Sequence, residues 1–506
     1  MKSPWQKILG FLGFGKTPRA KRGFAGAEGG RLLADWITSS LTADQEIRRS
    51  LTRLRNRSRD LALNDDYAKR FFGLLRTNVI GPTGIKFQSR AETDGLGLAD
   101  ETNNEIERGF AVWGRPGNCA VDGKLSWVDA QGFFIKALGM DGEVFLRLHR
   151  GYPDNPFNFA LEFIDPMLVD VNLNRRAFGG NEIRLGIEVN RWRKPVAYYV
   201  LRTPPGGDIV YGNLTEPMGG GELTNYRRIP AEEILHIFLM DRVNQTRGIP
   251  WLHTALTRLR HLGEYEEAEL IAARVSAAKM GFFVSKTGDE YPGAKTDTGE
   301  IEVELSPGNF EQLPEGVDLR SFDPQHPNAA FGEFVKGCLR GVASGLGVSY
   351  TNLANNLADV NFSSMRSGLL EEREFYRCLQ QFTIEHFCAP IFSAWLSLAL
   401  LGKQLALTGN AADYDHAEWR PRGWPWVDPA KDADASVTAL NNGFGTLADV
   451  CAQEGRDYQD VLKQRAKEQK MVAELGLNLA PAAAPKAAPA GQGDGQIVVN
   501  AGGENV

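Results

Sequence analysis

The stretch LGVSYTNLANNLADVNFSSMRSGLLEEREFYR, from Leu346 to Arg377, changes character half-way along. Its first half places Asn352, Asn355, Asn356, Asp359 and Asn361 within ten residues and holds few helix formers. Ser363 and Ser364 then offer side-chain oxygens suited to capping a helix start. Met365, Leu369, Leu370, Glu371, Glu372 and Arg373 follow, all strong helix formers. The pattern predicts a flexible polar loop entering one long, partly buried helix. That helix runs on into the apolar segment Phe387 to Leu401, interrupted by Pro390. A membrane span needs about 20 apolar residues. This run is shorter, contains the proline and lies between His386 and Lys403, so it reads as a kinked core helix.

Working outward, 506 residues are too many for one ordinary core, so roughly two to four domains are expected. The composition, 42% hydrophobic and 24% charged with a mean hydropathy of −0.30, is that of a soluble globular protein. A formal net charge of −6 and a pI near 5.8 argue against a tight, general grip on nucleic-acid phosphates, which takes a basic surface. Cys119, Cys338, Cys378, Cys388 and Cys451 are scattered, odd in number and free of any C-x-x-C spacing. No disulfide framework is expected from them. The seven histidines do not cluster with them, so no metal site and no cofactor are expected.

Residues 1–30 are basic and Gly-rich and read as a disordered arm. The apolar run Ile8 to Phe14 is too short for a signal peptide and is followed at once by Lys16, Arg19, Lys21 and Arg22. From Arg31 to Phe72 the pattern is helical, with Leu51, Leu54, Leu61 and Leu63 set among Arg48, Arg49, Arg53, Arg55, Arg57 and Arg59. An arginine series can be a nucleic-acid patch; the reading preferred here is a solvated face paired to Asp60, Asp65 and Asp66. Residues 78–240 read mainly as strands, with alternation at Leu146–His149 and across Ile183–Val189. Helices are expected at Glu101–Trp113 and Trp127–Ala137. Pro250 suits the first turn of a helix running from Trp251 to about Met280. Short strands and turns fill 282–327, and Phe331–Leu346 is helical. Gly341 and Gly345 stand four apart, on one helix face, where they allow a close helix approach. Further helices are expected near Ala430–Asn442 and Tyr458–Leu475, and 479–506 is an Ala/Pro- then Gly-rich tail, expected to be disordered.

One catalytic motif matches literally. Gly10-Phe-Leu-Gly-Phe-Gly-Lys16-Thr17 fits the G-x-x-x-x-G-K-T phosphate loop, and Ile234 to Asp241 can pass for the apolar strand ending in a magnesium-binding aspartate. Such a loop needs a strand before it and a helix behind it, whose N-terminal amides meet the phosphates. Only nine residues precede Gly10, and Pro18 with Gly23, Gly26, Gly29 and Gly30 leaves little room for the helix. A P-loop ATPase using Gly10–Thr17 therefore stands as the alternative reading. No other catalytic set is visible: neither Ser344 nor Ser349 sits in G-x-S-x-G, and Glu371-Glu372 has Arg373 beside it for ion pairing.

A series of short motifs, in order over about residues 45–475, resembles the lambda family of phage portal proteins. They are Arg57-Ser-Arg-Asp-Leu-Ala-Leu-Asn-Asp-Asp66, Asn78-Val-Ile-Gly-Pro-Thr-Gly84, Cys119-Ala-Val-Asp-Gly123, Asp141-Gly-Glu-Val-Phe145, Ile229-Pro-Ala-Glu-Glu233 and Arg247-Gly-Ile-Pro-Trp251. Leu305-Ser-Pro-Gly-Asn309, Leu313-Pro-Glu-Gly316 and Asp359-Val-Asn-Phe-Ser-Ser-Met-Arg366 continue the series, and Asp457-Tyr-Gln-Asp-Val-Leu462 ends it. The resemblance implies an α+β portal-type fold: an α/β wing (31–244), a first stem helix (245–281), a small α/β clip (282–327) and a second stem helix (328–346). A tunnel loop (347–363), a long kinked helix returning to the wing (364–418) and a helical crown (419–478) complete it.

It further implies a non-enzymatic subunit of a dodecameric ring at one capsid vertex, a part of the virion that is assembled in the bacterial host cytoplasm. Through such a ring double-stranded DNA is packaged and ejected without sequence preference and without contact with a membrane. The implied partners are the terminase large subunit, which would be the ATPase, the major capsid protein and head-completion or adaptor proteins. The mildly acidic surface suits a channel along which DNA must slide. Under the resemblance Asn352, Asn355, Asn356, Asp359 and Asn361 belong to the channel loop. Asp289, Glu290, Lys295, Glu300, Glu302 and Glu304 belong to the clip that meets the terminase. The loop carries no lysine, so a grip on phosphates by charge is not expected from it.

Overall fold

Thr42 opens the first helix, α1 (Ala43–Asn64), in a computed structural model that describes residues 38, 40–93, 97–98, 100–203, 225–277, 281–285, 317–321, 330–358, 362–424 and 429–477. The arm 1–30, the tail 479–506 and most of 282–327 lie outside these. The Thr42 hydroxyl accepts from the Gln45 amide at 3.3 Å while the Gln45 side chain accepts from the Thr42 amide at 3.0 Å, a reciprocal cap. Ile47, Leu51, Arg55, Ser58 and Leu61 recur at helical spacing and form the buried face.

The arginines on this helix do not pair as the sequence suggested. Asp65 instead ends α1 and caps α2 (Asp66–Leu75), accepting from the Ala68 amide at 2.7 Å, and Asp60 accepts from Asn64. Arg59 reaches Asp141 and Asp165, and Arg55 reaches Glu143. All three carboxylates stand more than 80 residues away, out of reach of any local reading.

Ser126 and Asp129 cap α4 (Trp127–Asp141), which follows α3 (Asp100–Trp113). Gly142, in the left-handed conformation at φ 83°, ends α4, and β4 (Glu143–Arg150) starts at the next residue. β4 is the middle of a three-stranded antiparallel sheet, between β5 (Phe159–Ile164) and β11 (Ile234–Phe238). A second sheet runs in the order β10 (Tyr226–Pro230), β9 (Pro195–Leu201), β8 (Ile187–Val189), β7 (Glu182–Arg184) and β6 (Arg175–Arg176). Residues 183–189, expected as one strand, form the β7–β8 hairpin. Leu185 and Gly186 both have positive φ, 50° and 85°, the backbone of a tight two-residue turn. The mixture of helices with antiparallel sheets is an α+β fold.

The chain's most enclosed charges sit where these pieces meet. Glu143 is fully buried and accepts from Arg55, from Arg247 Nε at 2.8 Å, from His236 Nε2 at 2.9 Å and from the Gly248 amide at 2.9 Å. Arg247 is also fully buried and donates to the carbonyls of Val169, Leu185 and Pro166. Glycine is required on both sides of this contact. A Cβ on Gly142 would run into the Ile249 backbone, and one on Gly248 into the Gly142 carbonyl. Burial alone would raise the Glu143 carboxyl, but Arg247 and Arg55 outweigh it and hold it well below the usual carboxylate range. Burial lowers the His236 ring despite the neighbouring carboxylate, so the ring stays neutral and donates.

Pro250 leads into a short 3₁₀ turn, Trp251–Thr254, and then α5 (Leu256–Ala277), which starts later than the predicted helix. β12 (Gly281–Ser285) pairs antiparallel with β13 (Val317–Ser321). α6 (Phe331–Leu346) returns against α5. Gly345 faces Thr254, Gly341 faces Arg258, and Phe334 lies 5.0 Å from the Tyr265 ring. These contacts run in opposite directions along the two helices, so the pair is antiparallel, and the two glycines admit the close approach expected of them.

After a short helix, α7 (Tyr350–Ala354), the long helix begins at Phe362. Ser363 and Ser364 therefore lie inside its first turn, past the position of a cap residue. It continues as α8 (Phe362–Thr383), a π turn (Ile384–Cys388) and α9 (Ala389–Leu401). The π turn directly precedes Pro390, whose missing N–H and bulky ring disrupt an ordinary i→i−4 ladder. By length and composition Met365–Leu401 would suffice to cross a membrane. Phe387, Ile391, Phe392, Trp395 and Leu396 are instead fully buried in the main core, where the Phe387 ring lies 4.3 Å from Phe134 and 5.3 Å from Trp127. β14 (Ala417–Arg420) pairs with β1 (Lys86–Ser89), and α10 (Pro429–Asn441), α11 (Leu447–Gln453) and α12 (Tyr458–Glu474) close the chain. Asp457 caps α12 and binds Arg90 and Arg420, fastening the last helix to the β1–β14 pair.

Two outcomes follow for stability. Glu143→Ala leaves two buried guanidinium groups without their carboxylate and costs about 3–5 kcal/mol, read as a lower urea midpoint, whereas removing the exposed Arg260–Glu264 pair leaves the midpoint in place. The His236 ring pKa is lower in the native state than its ordinary value of about 6.5. Protons therefore favour the unfolded chain as pH falls below that value, until the native ring also titrates. The melting temperature should drop from pH 7.5 to 5.5, and His236→Gln, which keeps a donor for Glu143, should show a smaller drop.

Candidate functional site

The connection between α6 and α8 carries the asparagine-rich run that the sequence singles out. Gly347, at φ 71°, ends α6 in the left-handed conformation, with Phe375 of α8 packed close beside it. Ser349 caps α7, accepting from the Asn352 amide at 3.3 Å, and Asn355, at φ 51°, closes it. The segment 347–363, expected as loop throughout, thus opens with a helical turn. The signals that make it one are the Ser349 cap and the left-handed Asn355. The buried Leu353 seats this turn in the core.

The base of the connection is tied down by a chain of hydrogen bonds. Asn352 Nδ2 donates to Glu372 Oε2 at 2.6 Å, and the Tyr376 hydroxyl donates to Glu372 Oε1 at 2.7 Å. Arg70 Nε donates to the Asn352 carbonyl at 3.1 Å, joining α2 to the same point. Asn356 Nδ2 donates to the Tyr350 hydroxyl at 3.2 Å, and its Oδ1 accepts from the Ala358 amide. Glu372 is 5% exposed and Tyr376 2%. Burial raises the Tyr376 phenol far above its usual value, reinforced by the adjacent Glu372 carboxylate, so the hydroxyl remains a donor. Glu372, read from sequence as an ion partner of Arg373, serves instead as the acceptor that holds the loop. Arg373 lies over the Trp424 ring.

Of the five channel-loop residues expected from sequence, Asn352 and Asn356 are half-buried in this base, and Asn355 is exposed beside Leu357 and Ala358. Asp359 and Asn361 lie outside the described residues. So do all six clip residues, Asp289, Glu290, Lys295, Glu300, Glu302 and Glu304, and the phosphate-loop match Gly10–Thr17. The strand once considered for magnesium, β11, is antiparallel to β4, unlike the parallel sheets that carry nucleotide sites. No group of three or more His, Cys, Asp or Glu positioned to hold a metal ion occurs among the described residues. The anchors Arg70, Glu372 and Tyr376 leave little trace in the sequence, because their only local signal is the i, i+4 spacing of Glu372 and Tyr376.

The family described as phage portal protein, lambda family, matches residues 29–380, and the chain belongs to that family. Its members are structural, and the chain is a component of the phage virion at the portal vertex. It is 38% identical over 472 residues to a probable portal protein of Halomonas phage phiHAP-1, covering 91% of this chain and 89% of that one. It is 22% identical over 492 residues to portal protein B of Escherichia phage lambda, covering 88% and 90%. Among solved structures it is similar to a chain from the neck of an empty GTA particle, at 13% identity and a TM-score of 0.42, covering 82% of this chain and 95% of that one.

Replacing Glu372 by Ala removes the acceptor for both Asn352 and Tyr376. The expected result is an unchanged global melting temperature to within a few degrees, with amides of 350–358 exchanging about tenfold faster in hydrogen–deuterium exchange, the effect of losing about 1–3 kcal/mol locally.

Proposed function

We propose that the chain assembles into a ring at one capsid vertex and forms the conduit through which double-stranded DNA is packaged and ejected. The single observation that supports this best is the tethered loop between α6 and α8. Its base is locked by Asn352, Glu372, Tyr376 and Arg70, while Asn355 and its neighbours stand exposed. A loop that touches a moving polymer needs a firm base and a free crest, and on this reading the polymer is DNA. On this reading Asn355, Asp359 and Asn361 face the channel. The antiparallel pair α5–α6 is the stem, and 282–327 is the clip where the terminase large subunit docks, through Asp289, Glu290, Lys295, Glu300, Glu302 and Glu304. The sheets and α1–α4 form a wing against the major capsid protein. Residues 419–478 form the crown, and head-completion proteins bind after packaging.

Negative-stain imaging with native mass spectrometry should show closed rings of about a dozen subunits, as expected for a cyclic assembly of identical chains. Replacing residues 355–359 by a Gly linker should leave the rings intact and reduce the yield of DNA-filled particles. Normal yields would remove the loop from the mechanism, and ATP turnover abolished by Lys16→Ala would establish the nucleotide-binding alternative instead.

A further inference from the structure

Basic side chains gather where the end of α2, strand β14 and the head of the long helix meet. A hollow of about 870 Å³ is lined there by Arg76, Lys86, Arg420, Arg422 and Arg456, against Asp129 and Glu454. A second hollow of about 490 Å³ is lined by Arg366, Arg373 and Arg377, against Asp432 and Asp449. Arg422 and Trp424 join the two, the Arg422 guanidinium standing 6.0 Å from the centre of the Trp424 ring. Arg373 and Arg377 stand over the same ring, each at 5.8 Å. One indole therefore gathers three guanidinium groups. Eight basic side chains line the two hollows beside four acidic ones, in a chain whose formal net charge is −6, and Glu418 and Asp457 pair with Arg420, and Glu374 with Arg377, from outside the two linings.

Arg366 and Arg420 are paired to carboxylates within the fold, and other members of the belt are held more loosely. Arg422 donates to the carbonyls of Thr77 and Gly423 and to Asn78 Oδ1, and it has no carboxylate partner among the described residues. The fold makes room for this side chain at Gly81, where φ is 76° and a Cβ would meet Arg422 Cδ at 2.9 Å. Burial lowers the pKa of Arg373, and the like charges of Arg377 and Arg422 lower it further, the signature of a cluster that favours an added anion. Arg76 reaches Asp129 only at 3.8 Å, and Arg377 pairs with the exposed Glu374. Exposed pairs of this kind contribute little and exchange readily for another anion.

The shape is elongated. Arg366, Leu370, Arg373 and Arg377 follow one another at helical spacing, giving a stripe about 16 Å long at 1.5 Å per residue. The stripe starts four residues into α8, directly behind the loop. On its other side it stops where α12 brings Asp457, Asp460 and Glu468. A duplex presents about one negative charge per 1.7 Å of axis. A long, open, repeating row of guanidinium groups matches such a row of phosphates.

We propose that this arginine belt, and not the asparagines of the loop base, is the surface through which the chain contacts the phosphates of double-stranded DNA. The proposal rests on the conduit reading and adds to it the residues that meet the backbone. The contact is independent of base sequence, and the acidic remainder of the chain keeps it weak enough for sliding.

The test uses assembled rings of the full chain and a fluorescent duplex of about 30 base pairs, with anisotropy followed across a salt series. The belt variant combines Arg76→Gln, Lys86→Gln and Arg377→Gln, all exposed side chains whose loss spares the core. The control combines Arg49→Gln, Arg53→Gln and Arg57→Gln, equally exposed on α1. Affinity should fall about tenfold in the belt variant, and the slope of log K against log salt should shrink by about 2–3, with the control unchanged. Rings that form normally but bind duplex equally well in wild type and belt variant overturn the belt alone, as does loss confined to the control. Polyglutamate of matched charge that displaces duplex at equal charge concentration, and is likewise lost in the belt variant, makes the belt an acidic-peptide site and also overturns it. Wild-type chain that forms no rings overturns the conduit reading together with the belt.

Discussion

A single carboxylate, that of Glu143, draws together four stretches of chain that are far apart in sequence. It accepts from Arg55 on α1, His236 on β11, and Arg247 and the Gly248 amide in the approach to α5. A buried ion pair is usually a poor investment, because stripping water from both charges costs several kcal/mol. Here the lone pairs of Glu143 and the donors of Arg247 are matched almost completely, the latter by three backbone carbonyls. Such a set is tolerable only when all members are in place. The position of the first sheet, the hairpin at Leu185 and the root of α5 are therefore decided together.

The long helix transmits that order to the loop. Its π turn is keyed through Phe387 against Phe134 and Trp127, and its α8 end carries Glu372, which holds Asn352. α6 meets the same loop from the other side through Gly347. Both roots of the connection are thus fixed to the body, and only its crest is left exposed. The Trp424 cluster packs beside the arginines of α8, with Arg366 reaching across to Asp432 on α10. One helix thereby serves the core, the loop and the last helices.

How much of this the sequence disclosed depends on range. Helices α3 and α4 were legible because their apolar spacing is local, as is the Ser126–Asp129 cap of α4, and the α+β class followed from them and from the alternating strands. The facing glycines at 341 and 345 were legible for the same reason. The motifs Asp141–Phe145 and Arg247–Trp251 were each visible, but nothing in either shows that they are two halves of one contact. The roles of Arg55 and Arg59 were misjudged because the local acids Asp60, Asp65 and Asp66 offered nearer partners, and that of Glu372 because Arg373 stands beside it. The β7–β8 hairpin was hidden by alternation that survives across a two-residue turn, and α7 by asparagines that weaken a helix inside but cap it well.

The π turn at 384–388 holds one residue more than an α-helical turn would. Each residue of an α-helix advances the side-chain direction by about 100°. The inserted residue therefore resets the angular phase between α8 and α9. The face that fills the core and the face that bears the arginines are not bound to one continuous heptad register. The apolar half of the rod can stay locked in its aromatic socket while the basic half is aimed by the bulge.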